Sequence, residues 1–88
     1  MDLSKDLTFD ETHNWYNNLV KRTGWVMLSI HNGGESKDAF IKDVSDIIPK
    51  IDRMYDVLHD NDKKRDLIIM RNNLINLHDI VSNYKNNG

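Results

Sequence analysis

The chain has 88 residues, of which 39% are hydrophobic and 30% charged, with a formal net charge of −2 and no cysteine. This composition describes one small globular domain, too apolar and too near neutral for disorder. It excludes a disulfide framework or a thiolate metal site and lacks the basic excess of an electrostatic nucleic-acid binder.

A domain of this size buries only about 60 to 65% of its unfolded surface, so self-association is an expected source of added stability. The absence of cysteine fits a reducing compartment, and the cytoplasm is the expected location. The opening MDLSKDLTFDE is acidic and without an apolar segment, and reads as neither a signal nor a transit peptide. The apolar run Trp25–Leu28 is far too short to span a bilayer, so no membrane partner is expected.

Thr8-Phe9-Asp10-Glu11 reads as a capping box that starts helix 1, with its acidic residues at the positive helix end. Phe9, Thr12, Tyr16, Leu19, Thr23, Val26 and Ile30 then recur at helical spacing, flanked by Trp15, Val20 and Met27. The run Trp25-Val26-Met27-Leu28 does not alternate as a strand would, and Asn32-Gly33-Gly34 supplies the stop, so helix 1 is expected over about 8–31.

Ser36 is the expected cap of helix 2, about 36–59, whose apolar row is Phe40, Val44, Ile47, Ile51, Met54 and Leu58, widened by Ile41, Ile48 and Tyr55. Asp38, Lys42, Asp46 and Lys50 are expected on its outside. Pro49 removes one backbone bond, and the unbroken register across it favours a kink over a break into two helices. After the His59-Asp60-Asn61-Asp62 turn, Leu67, Met70, Leu74, Leu77, Val81 and Tyr84 define helix 3, about 62–85. The expected fold is all-α: one domain over 1–88, an antiparallel three-helix bundle with coiled-coil-like packing and helix 2 kinked at Pro49.

Some apolar residues exceed what one core absorbs. Trp25 and Leu28 fall on the far side of helix 1, with Gly24 beside them for close backbone approach. On helix 3, Ile68 and Ile75 flank the seam on one side, and Ile69 and Ile80 on the other. One explanation covers this excess internally, through the kinked second helix and an N-terminal arm carrying Leu3 and Leu7. The preferred explanation is an interface built on Gly24, Trp25, Leu28, Ile69 and Ile80, because clustered exposed Trp and aliphatic side chains make binding hot spots.

The chemistry-bearing patterns are weak. Asp10…His13 and Asp56…His59 place a carboxylate and an imidazole three apart on a helix, as metal ligands can be, but no inward glutamate completes a site. His31 reads as a helix C-terminal cation and His78 as a residue bordering the helix 3 seam. Asp60-Asn61-Asp62 lacks the glycine and closing glutamate of a calcium loop, and Gly33-Gly34 lacks the Lys-Ser or Lys-Thr of a phosphate loop. No catalytic residues, metal, cofactor or small-molecule substrate are expected.

Lys63-Lys64-Arg65 occupies the first turn of helix 3, where positive charge opposes the helix dipole. The acidic start of helix 1, Asp2, Asp6, Asp10 and Glu11, is the expected compensation. The alternative is phosphate contact, joined by Lys5, giving weak, salt-sensitive nucleic-acid binding.

The run Trp15-Tyr16-Asn-Asn-Leu19-Val-Lys21-Arg-Thr-Gly24-Trp25-Val-Met27-Leu28, with Asp62-Lys63-Lys64-Arg65-Asp66-Leu67 and Asn72-Asn73-Leu74, resembles a group of short uncharacterised helical proteins of large DNA viruses and bacteriophages. Their pattern is W-Y-x3-(F/V)-x-K-x-G-W-(M/V)-(M/V)-L, and Arg22 and Thr23 alter its middle here. The resemblance implies a viral origin, a location in host cytoplasm or virion, and a structural or accessory role, with no functional residue to carry over. The sequence thus points to a non-enzymatic interaction module, self-associating or bound to another protein.

Overall fold

The computed structural model describes residues 7–30 and 35–84, apart from the side chains at 29, 30, 35 and 36. The expected stop at Asn32–Gly34, the Ser36 cap, His31, Lys5, Asp2, Leu3, Asp6 and the side chain of Ile30 lie outside the described residues. The described chain forms three helices, α1 (Phe9–Ile30), α2 (Glu35–Val57) and α3 (Asn61–Asn83), each packed against the other two.

The local chemistry of two helix starts is explicit. Thr8 N–H donates to Glu11 Oε1 at 3.0 Å, and Glu11 N–H donates back to Thr8 Oγ1 at 3.2 Å, satisfying two of the amides that a helix start leaves open. The Thr8 backbone N–H chiefly, and the Thr8 hydroxyl next, hold the Glu11 carboxyl below its usual value. Asp60 caps α3 from an extended backbone, accepting from the amides of Asp62 at 2.9 Å and Lys63 at 3.2 Å. α3 ends at Tyr84, whose N–H reaches the Val81 carbonyl.

The core takes its residues from the expected rows: Leu19 and Val26 of α1, Phe40, Val44, Ile47 and Ile51 of α2, and Leu67, Met70, Leu74 and Val81 of α3. Each such side chain contributes about 1.5 to 3 kcal/mol by leaving water. Phe9, Trp15, Tyr16, Met27, Ile41, Ile48, Met54, Tyr55, Leu58 and Leu77 pack around them, partly buried. Thr12 is fully buried and donates its hydroxyl to the Thr8 carbonyl at 2.8 Å, so its one polar group is satisfied inside the helix.

Polar contacts tie the helices at their margins. Arg22 of α1 pairs with Asp43 of α2 at 2.6 Å and lies over the Phe40 ring. Arg71 of α3 pairs with Asp52 of α2 at 2.8 Å, and Lys37 reaches the Ser82 carbonyl at 3.4 Å. Asn73 of α3 donates to the Tyr16 hydroxyl of α1 at 2.9 Å.

Two expectations are corrected. Lys50, expected on the outer face by its four-residue spacing from Asp46, is only 8% exposed. A four-residue step overshoots a full turn by about 40°, so the row Asp38, Lys42, Asp46, Lys50 rotates by about 120° and its last member reaches the flank of the core. α2 also ends at Val57, so His59 stands in the connection and does not share a helix face with Asp56. The helix itself is continuous through Pro49.

Candidate interaction surface

Trp25 is 74% exposed and Leu28 60%. Counting about 100° per residue from buried Val26, both lie on the side of α1 turned from the core. Gly24 is exposed beside them, and a Cβ built on it would meet nothing within 4 Å, so its bare backbone is open to approach. On α3, Ile69 is 51% and Ile80 53% exposed, and Ile68 is exposed on the opposite flank, while Ile75 is half-buried. Val20 of α1 and Val57 of α2 are also exposed.

The N-terminal arm covers none of these α1 and α3 residues through Leu7. That side chain is buried against the last two turns of α2, where it borders a shallow cleft of about 380 Å³ with Lys50, Arg53, Met54, Asp56 and Val57. A smaller groove of about 170 Å³ between α2 and α3 is lined by Tyr55, Leu67 and Ile68 and crossed by the Asp52–Arg71 pair.

Two of the acidic residues expected to face the basic turn, Asp2 and Asp6, lie outside the described residues. Lys63 Nζ lies 5.4 Å from the centre of the Phe9 ring, Lys64 Nζ lies 4.5 Å from that of Tyr55, and Arg65 stands 3.9 Å from Asp62. Among the described residues, aromatic faces and the first-turn aspartate offset these cations, where Asp10 and Glu11 were expected to do so. The Glu11 carboxylate is committed to Thr8, and a cation over a ring face is attracted by its quadrupole.

The three described histidines are separated. The His13 ring meets the edges of Phe9 and Tyr16, His59 is exposed, and His78 Nδ1 lies 3.5 Å from Ser82 Oγ and 3.6 Å from Asp79. Among the described residues no three His, Asp or Glu side chains come together to hold a metal ion. No described helix is long and apolar enough to cross a membrane.

A second exposed row lies on α3. Asp66, Ile69, Asn73, Asn76, Ile80 and Asn83 are all exposed and recur at steps of three and four. The spacing is readable in the sequence, but asparagine interrupts it and hides it from a hydrophobic pattern. Compared with protein-family models, curated proteins and solved structures, the chain matches none of them.

Proposed function

We propose that this protein is a non-enzymatic interaction module that self-associates through apolar side chains outside its own core. The observation that carries the reading is the exposure of Trp25, Leu28, Ile69 and Ile80 beside a packed core drawn from all three helices. Large aromatic and aliphatic groups held in water gain most when a partner covers them.

The architecture proposed with it is an antiparallel bundle. Thr12 lies by Met54 and Arg22 pairs with Asp43, so position falls along α2 as it rises along α1. The pairs Lys37–Ser82, Asp52–Arg71 and Tyr55–Lys64 run the same way for α2 and α3. A kink at Pro49, which cannot donate to the carbonyl four residues back, belongs to the same proposal. The resemblance carried by Trp15–Leu28 supports a role as a viral structural or assembly component, acting in host cytoplasm or virion.

Nucleic-acid binding through Lys63, Lys64 and Arg65 draws less support, because two of the three cations rest on rings. The test is molar mass by light scattering over a hundredfold concentration range, for wild type and Trp25→Asp. An oligomer that the substitution dissociates into a folded monomer supports self-association through α1. A wild-type chain that stays monomeric throughout refutes the reading.

A further inference from the structure

The exposed row on α3 has an order as well as a spacing. Its steps are three, four, three, four and three, the alternation of a helix–helix seam, and its chemistry reads alike from either end: polar, Ile, Asn, Asn, Ile, polar. A contact made by two identical patches about a two-fold axis requires a surface that is complementary to itself.

We infer that this row is the seam of a two-fold dimer in which α3 packs antiparallel on α3 of a second copy. The inference rests on the self-association proposed above and assigns its surface and geometry. Residues equally far from the axis then meet: Ile69 faces the partner's Ile80, Asn73 faces the partner's Asn76, and the Asp66 carboxylate faces the amide of the partner's Asn83. Every layer pairs apolar with apolar or acceptor with donor.

The charges choose the antiparallel direction. A parallel pair would set Asp66 against its own copy, bring the two Lys63-Lys64-Arg65 turns together and align the helix dipoles. The antiparallel pair moves the two Asp66 carboxylates to opposite ends of the seam, about 25 Å apart along the helix.

The two asparagines at the centre fix the register. The Asn73 amide is oriented by its donation to the Tyr16 hydroxyl at 2.9 Å, which leaves Oδ1 to accept from across the seam. A slip of one heptad would set an isoleucine against an asparagine and leave a buried amide unpaired. Two asparagines between the isoleucines are poor core residues but good register markers.

The chain has no cysteine of its own, so cross-linking reads the geometry directly. Chains carrying Ile69→Cys and chains carrying Ile80→Cys are mixed and oxidised, alongside each variant alone, with circular dichroism to show that both keep their helices. The expected result is a disulfide-linked dimer in the mixture and none from either variant alone. Cross-linking of each variant with itself, or no cross-link in the mixture, overturns the seam.

Light scattering of wild type and of Ile69→Asp separates the seam from self-association as such. Loss of the wild-type dimer on Ile69→Asp supports the seam. An oligomer unchanged by Ile69→Asp but dissociated by Trp25→Asp overturns the seam and leaves self-association standing. A monomeric wild type removes both.

Discussion

α3 presents two rows of the same period to two different surroundings. The inner row, Leu67, Met70, Leu74 and Val81, is buried under α1 and α2. The outer row runs one residue behind, through Asp66, Ile69, Asn73, Asn76 and Ile80, and faces solvent. Periodicity thus fixes where a side chain points and not what covers it. The difference lies in filling: an unbroken apolar row has one low-energy fate, burial within the chain, whereas isoleucines separated by asparagines tolerate water and can still be covered by a matching surface.

The largest effect should come from exchanging the two chemistries at neighbouring positions. Leu74→Asn puts an amide into a fully buried site and removes its packing, and should cost roughly 3 to 5 kcal/mol of folding stability by denaturant melt. Asn73→Leu, one residue away on the outer row, loses the Tyr16 hydrogen bond and should cost no more than about 1 kcal/mol. It should weaken self-association, because it sets a leucine against the partner's Asn76 and leaves that amide unpaired, seen as a higher dissociation constant in sedimentation. Comparable losses of fold stability from the two would break the distinction between the rows.

A middle-sized effect is expected at the start of α1, away from both rows. Thr8→Ala should cost about 1 kcal/mol by removing the cap hydroxyl. It should also let the Glu11 carboxyl rise toward 4.5, because part of what lowers it is the Thr8 hydroxyl. A carboxyl lowered by folding stabilises the native state above its unfolded pKa, and that contribution fades as pH falls through the folded value. The part of the cap carried by the Glu11 carboxylate should therefore fade in acid while the Glu11 N–H bond to the Thr8 hydroxyl remains, and carboxyl NMR titrations of wild type and Thr8→Ala should converge on fully protonated Glu11. A Glu11 titration that Thr8→Ala leaves unmoved would contradict the cap.

The smallest effects sharpen the contrast at its margins. A double-mutant cycle on the partly exposed Arg22–Asp43 pair should give about 0.5 to 1 kcal/mol of coupling, falling with added salt. Ile80→Asp should shift fold stability by less than about 0.5 kcal/mol at low concentration, because the side chain is half in water already.

Much of this architecture is written locally. The Thr8–Glu11 cap needs two side chains three residues apart, and the core rows need only a repeating step, so both are legible in the amino-acid order alone. Lys50 departs from its expected face because a four-residue spacing drifts around the helix, which matters over three turns and not over one. His59 leaves the helix because the turn to α3 starts at Leu58, and Asp60 is taken up in capping the next helix. The ring partners of Lys63 and Lys64 depend on which helices meet, a matter of tertiary contact that no spacing within α3 encodes. At the candidate surface, Trp25, Leu28, Ile69 and Ile80 are legible as apolar excess, while the asparagine row emerges only when exposed polar residues with the same step are counted.

If the outer row of α3 is a contact surface and the inner row a core, dilution should act on one and not on the other. Methyl NMR of the full chain on serial dilution reads this at single-residue resolution. The methyl signals of Ile69 and Ile80 should move as the protein is diluted a hundredfold, while those of Leu67 and Leu74 stay fixed. Signals of Ile69 and Ile80 that hold still over the whole range, or that move only together with Leu67 and Leu74, would contradict the assignment of the two rows.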